Sequence, residues 1–372
     1  MFFRLRFSKQ AEQISVFFMI PSYFGWIAAQ LVALAIVLKS LMGLPIFAGI
    51  ILCTLIVLIY TYIGGMWAVS ITDFVQTIMI LIGLLIICAQ MLQQAGGLQT
   101  VIERQPPGFF RFLPEANFHD IVHYFAAWIT IGLGYIPQQD VFQRVMSARN
   151  VRTAVRASYL SSFMYLTIGF IPLLIGLCAN VLYAEEPFYQ QILQEDTQMV
   201  IPQVVLLHGS LGVQVLFFGA LLSAVLSTTS GAMLAPATVL GENFIKPRLK
   251  IVTDSVLLRI MRLSVVLVAV ASAIMANLKQ NIYELVGDSS ALSLVALFIP
   301  LTAGLYWKRA SNAGTLWSMF GGTAVWLFCE FYGTEIPSLI YGGLAGLTGM
   351  IAGSWMRPDG SYQTFVERDR TP

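Results

Sequence analysis

The sequence predicts an all-α, polytopic membrane protein of about ten transmembrane helices, and three observations carry that prediction. Of 372 residues, 57% are hydrophobic and only 11% are charged, whereas a soluble domain is about half apolar and about a quarter charged. Apolar runs recur along the whole chain at close to the roughly 20 residues that a helix needs to cross a bilayer. The basic residues collect in alternate connections between those runs. The net charge of +2 says little about partners, and the chain has no low-complexity tract or basic segment suited to nucleic acid.

Taken in order, the expected spans are residues 14–38, 44–63, 66–92, 121–137, 155–182, 211–240, 256–275, 284–306, 313–331 and 337–356. Residues 1–10, MFFRLRFSKQ, are polar and basic. The apolar run after them is long and lacks a small-residue cleavage site, so no cleavable signal peptide is expected. Cys53, Cys88, Cys178 and Cys329 each lie inside an apolar run, far apart in sequence, and read as small core residues. His119, His123 and His208 have no metal-ligand spacing.

Short cytoplasmic loops collect Lys and Arg. With the N-terminus inside, 17 of the 21 basic residues fall on the inner side, leaving Lys39, Arg104, Arg111 and Lys279 outside. The outer loops carry acids such as Glu185, Glu186, Glu195 and Asp196. Both termini are therefore expected in the cytoplasm.

Residues 221–246, LLSAVLSTTSGAMLAPATVLGENFIK, place Ser227, Thr228, Thr229 and Ser230 in the middle of an apolar run. On a helix, Ala224, Ser227, Thr228 and Gly231 share one stripe. Hydroxyls beside a backbone carbonyl form a cluster of neutral oxygens, the ligands hard cations prefer. The same residues equally suit back-bonding to the preceding turn or helix-to-helix contact.

Residues 60–76 read YTYIGGMWAVSITDFVQ, with a tight turn expected at Gly64 and Gly65. Asp73 then lies about 12 Å into the next helix, where a carboxylate faces a cavity, a cation or a partner on a neighbouring helix. Residues 128–144 read WITIGLGYIPQQDVFQR. Gly132, Gly134 and Pro137 are poor helix formers, and Pro137 has no N–H to donate. Freed backbone groups are tolerated in a membrane where they line a watery cavity, with Trp128, Tyr135 and Gln138 supplying aromatic and polar contacts. A packing kink is the alternative.

IGGMWAVSITDFVQ, IPQQDVFQRV and LSTTSGAML, in this order and at these separations, resemble the sodium/solute symporter family over nearly the whole chain. The resemblance implies an inverted-repeat fold with ion and solute near the midplane, and a function as a sodium-coupled transporter of a small organic solute in the bacterial inner membrane, with Na+ as coupling ion and no other cofactor. Carried over by position, it implies a sodium site at the Ala224 carbonyl and the Ser227 and Thr228 hydroxyls. It also implies a second cation position at Asp73 and Ser230, although Gly231 stands where some members carry a hydroxyl. Trp128, Tyr135 and Gln138 would line the solute pocket. Ile131 stands where the family's proline permeases carry Trp, and IPQQDVFQR is more similar to the choline-transporter branch.

The implied organisation is residues 1–92 as core helices three to five, 93–120 as an external loop, 121–306 as the second repeat, 307–356 as two peripheral helices and 357–372 as a tail. The family's first two core helices have no counterpart in these residues. Because the first of them supplies carbonyls opposite Ala224, Ser227 and Thr228, residues 1–372 by themselves are expected not to transport. The competing function is a membrane sensor or partner-dependent subunit built on the same fold. An enzyme is not expected, since no paired carboxylates or nucleophile with a base stand out.

Overall fold

In the computed structural model, which describes residues 2–249 and 253–359 and their side chains outside 63–73, Pro247 and Asp254, the secondary structure among the described residues is helical. In chain order the helices are α1 (Phe2–Arg6), α2 (Lys9–Met42), α3 (Ile46–Gln94), α4 (Leu98–Glu103), α5 (Phe118–Gly134), α6 (Gln139–Met146), α7 (Val151–Ile168) and α8 (Phe170–Tyr183). There follow α9 (Pro187–Glu195), α10 (Val200–His208), α11 (Leu211–Val239), α12 (Asp254–Leu278), α13 (Ile282–Ser293), α14 (Ile299–Tyr306), α15 (Asn312–Tyr332) and α16 (Ser338–Met356).

Among the described residues, seven stretches are long and apolar enough to cross a membrane: Lys9–Met42, Phe74–Gln94, Val151–Tyr183, Leu211–Ile245, Ser255–Leu278, Ile282–Tyr306 and Ser338–Met356. Two of the ten expected spans, 121–137 and 313–331, fall short of that mark, while 44–63 and 66–92 both lie on α3. Helix α5 has 17 residues, and in α15 the Gly, Ser, Thr and Asn residues and Glu330 lower the hydropathy. Where a tight turn was expected at Gly64 and Gly65, α3 instead continues as one helix of 49 residues. A helical glycine costs only about 1 kcal/mol relative to alanine, and no proline follows to force a break.

The chain divides into two compact units. The first comprises Met1–Ala29, Leu113–Gln143 and Ala232–Pro372, and the second Gln30–Phe112 and Arg144–Gly231.

The second unit has a core in which Val37 of α2 and Ile87, Cys88 and Met91 of α3 pack with Ile175, Cys178 and Ala179 of α8, Val204 and Val205 of α10, and Phe217 and Phe218 of α11. All four cysteines of the chain are free and buried, as small apolar residues are in a close-packed interior. The opposite faces carry exposed large side chains, such as Tyr165, Leu166 and Phe170 on α7 and α8, which suits contact with lipid.

In the first unit, α15 and α16 form a hairpin held at close range by glycine. A Cβ on Gly353 would lie 2.7 Å from the Gly314 Cα, closer than real side chains come, so the backbones meet only because both positions are small. At the other end of the chain, Arg6 is fully buried. It donates from Nε to the Gly304 carbonyl at 2.9 Å, and from one terminal nitrogen to the carbonyls of Trp307 at 3.1 Å and Ala310 at 3.2 Å. These are carbonyls at and beyond the end of α14, where a helix leaves acceptors unpaired and favours a cation. Between α13 and α14 the chain takes one π-helical stretch, Leu294–Phe298. Pro300 follows it and cannot donate to the carbonyl four residues earlier, a defect that a π-turn absorbs.

Candidate ion-binding and solute-binding residues

The hydroxyl stripe of α11 lies in the second unit. Ser227, Thr229 and Ser230 are all fully buried, and their surroundings sort the four hydroxyls. Thr229 donates back to the Val225 carbonyl at 2.5 Å, the back-bonding that membrane helices use to satisfy threonine. Ser230 accepts the Thr61 hydroxyl of α3 at 2.9 Å. Thr228 and Ala224 are half-buried one turn apart, on the stripe that Ser227 completes. Ala224, Ser227 and Thr228 thus lie together along one face of α11, with Thr229 and Ser230 beside them. Beyond it, Gly231 leaves room for a terminal nitrogen of Arg144, 3.2 Å from where a Cβ would stand. The Asp73 side chain, expected at a second cation position, lies outside the described residues.

The break in the helix carrying Gly132, Gly134 and Pro137 lies in the first unit. Helix α5 ends at Gly134, and residues 135–138 turn before α6 begins at Gln139. Gly134 is pressed against α13, where an added Cβ would strike the Ser290 carbonyl oxygen. A second glycine, Gly25 of α2, approaches Ser289 and Leu285 of the same helix. Three elements thus meet: α2, the turn after α5, and α13.

Polar groups gather there. Gln138 is 1% exposed, and both its side-chain amide atoms lack a hydrogen-bond partner among the described residues. On α13, the hydroxyls of Ser289, Ser290 and Ser293 are buried and unpartnered in the same way. A buried polar group without a partner costs about 1–3 kcal/mol, and in native proteins such groups are commonly met by a ligand or water. Asp140, in the first turn of α6, is fully engaged by comparison. Its carboxylate accepts the Tyr23 hydroxyl at 2.8 Å on one oxygen and the Tyr135 hydroxyl at 2.9 Å on the other. The Tyr135 ring packs on Trp26 with centroids 5.5 Å apart.

Of the expected pocket residues, the structure brings Tyr135 and Gln138 together on this turn. Trp128 stands apart from them, 58% exposed, with its ring 6.1 Å from that of Tyr124. Tyr23, Trp26, Asp140 and the three serines of α13 join the group without having been foreseen. The available signal was the spacing of Ser289, Ser290 and Ser293, which puts three hydroxyls within one helical turn ahead of an apolar run.

A model of the sodium:solute symporter family matches residues 1–322. The chain belongs to that family. Among curated sodium:solute symporters, the sodium/proline symporter of Staphylococcus aureus is 31% identical over 322 residues, covering 84% of this chain and 60% of the relative, and that of strain Newman aligns to the same extent. The chain thus spans about 60% of the length of the curated relatives it matches. A solved structure, the substrate-bound outward-open state of a Na+-coupled sialic acid symporter, superposes with a TM-score of 0.79 over 95% of this chain and 76% of that one, at 17% identity. At that identity the likeness shows the fold alone. Family and fold are those of transporters, and with its long apolar helices this family member is an integral membrane protein.

Proposed function

We propose that the protein carrying this chain is a sodium-coupled symporter of a small organic solute, working in the bacterial inner membrane with both ends of this chain in the cytoplasm. Sodium is held at the Ala224 carbonyl and the Ser227 and Thr228 hydroxyls of α11. Asp73 and Ser230 are the residues for a second cation, and Tyr135 and Gln138 face the solute, joined by the serines of α13, whereas Trp128, expected in that pocket, stands apart from it. The relatives named for sodium-coupled transport of proline and of sialic acid support the coupling and the size of the solute. Ile131, at a position where proline permeases carry Trp, argues against proline itself.

The observation that carries this reading is Gln138, buried on the turn between α5 and α6 with both amide atoms unpartnered among the described residues. A neutral amide both donates to and accepts from an organic solute, and a glycine- and proline-bearing turn suits a place where backbone groups meet a cavity or substrate. The driving force is sufficient. One sodium entering down a membrane potential of about 100 mV supplies about 2.3 kcal/mol, and a tenfold sodium gradient adds about 1.4 kcal/mol. Together they sustain a solute gradient of a few hundredfold, roughly. The test is uptake by the protein purified from its source membrane and reconstituted in liposomes, with a panel of amino acids, quaternary amines and sugar acids. Accumulation under an inward sodium gradient that disappears when potassium replaces sodium is expected. Uptake that is indifferent to sodium contradicts the reading.

A further inference from the structure

We propose that Asp140 is a positioning residue that sets solute affinity by fixing the turn that presents Gln138; this rests on the solute-binding reading above. The turn at 135–138 has little holding it from within. Tyr135 and Ile136 donate back to the Ile131 and Leu133 carbonyls of α5 at 3.1 and 3.2 Å, Pro137 has no N–H, and the bond inside the turn is Gln138 N–H to the Tyr135 carbonyl at 3.2 Å. What fixes it must come from its two ends. At one end Gly134 is seated on the Ser290 backbone of α13. At the other, Asp140 is clasped by two tyrosines, and Gln138 lies between these anchors.

The clasp is specific in its chemistry. The Tyr23 hydroxyl accepts the Asp140 backbone N–H at 2.8 Å and donates its own proton to Oδ1 at 2.8 Å. One phenol therefore satisfies a free N–H at the start of α6 and holds the carboxylate beside the positive end of that short helix. Tyr135 donates to Oδ2 at 2.9 Å, so the same carboxylate closes the turn on itself and sets the angle of the ring that meets Trp26. Tyr23 is fully buried, so its hydroxyl has no water to turn to if Asp140 is removed. A carboxylate accepts from both tyrosines at once, and its charge makes these bonds stronger than neutral ones. An amide or a methyl does not reproduce that.

Asp140→Asn and Asp140→Ala should be compared with the unaltered protein in proteoliposomes, with KM and maximal rate for the transported solute and half-saturation for sodium measured on each. Solute KM is expected to rise about tenfold for Asp140→Asn and further for Asp140→Ala, with sodium half-saturation changed by less than about twofold. Hydrogen exchange at residues 135–140 should quicken in both variants while that of α13 stays as it was. An unchanged solute KM in Asp140→Asn, or equal shifts in solute and sodium affinity, overturns the assignment. So does a loss of exchange protection throughout the first unit, which would make Asp140 a general structural prop. If the unaltered protein takes up no solute with sodium, it is the symporter reading that fails.

Discussion

The hydroxyl of Tyr23 lies 2.8 Å from both the backbone nitrogen and one carboxylate oxygen of Asp140, residues 117 positions apart in the chain. It is acceptor to the first and donor to the second, so a single side chain of α2 fixes the start of α6. Tyr23→Phe keeps the ring and removes both bonds, leaving buried groups unpaired. A loss of about 1–3 kcal/mol is expected, read as a lower thermal unfolding midpoint in detergent, and a variant as stable as the unaltered protein would contradict the pairing.

Two glycines two residues apart provide an internal control on the contact with α13. At Gly134 an added Cβ would meet the Ser290 carbonyl oxygen, its carbon at 2.8 Å and its Cα at 3.1 Å, whereas at Gly132 nothing lies within 4 Å. Gly134→Ala should cost about 1–3 kcal/mol through overpacking. Gly132→Ala should be neutral or stabilising by about 0.4–1 kcal/mol. Melting curves that rank the pair in the opposite order would refute the close approach.

Arg6 caps the end of α14 from inside the protein. Its guanidinium bonds three backbone carbonyls while fully buried, and hydrogen bonds from a charged group contribute about 1.5–3 kcal/mol. Arg6→Met should therefore destabilise by about 3 kcal/mol, and amide exchange across residues 304–310 should accelerate first. Exchange there at the unaltered rate would remove the capping role.

Lys279, between α12 and α13, gives a pH signature. Its Nζ lies 2.7 Å from Asp288 Oδ2 and 3.1 Å from Glu284 Oε2. Burial alone would lower its pKa, but the hydrogen bonds and charges of Asp288 and Glu284 outweigh that and raise it above the ordinary lysine value. A raised pKa in the folded state gives stability that is complete below the unfolded value, near about 10.4, and is lost as pH climbs through the folded one. Because the side chain is about a third exposed, solvent screens the pair, and Lys279→Gln should cost only about 0.2–1 kcal/mol. The difference between the two proteins should be flat from pH 5 to about pH 9 and vanish in strong alkali. A difference that grows with rising pH would contradict the assignment.

The sequence foreshadowed some of this better than other parts, for physical reasons. The break after Gly134 was legible because Pro137 has no N–H and glycine is a weak helix former, both local facts. The hydroxyl stripe of α11 was legible because Ala224, Ser227 and Thr228 share a helical period within an otherwise apolar run. Gly64 and Gly65 misled, since two glycines without a following proline leave a helix free to continue. Tyr23, Asp140 and Ser289 were hidden for another reason. Each is an ordinary residue for its helix, and its meaning lies in contacts with segments over a hundred residues away, which no local pattern encodes.

The central claim is that sodium binds the α11 hydroxyls and drives solute uptake. The most direct measurement is the sodium dependence of uptake in proteoliposomes by the protein carrying this chain, unaltered and with Ser227→Ala or Thr228→Ala. Loss of one oxygen ligand should raise half-saturation for sodium about tenfold, a change of about 1.4 kcal/mol, while the melting temperature and the solute KM at saturating sodium stay close to the original. Sodium half-saturation unchanged in both variants would place the ion elsewhere and contradict the account.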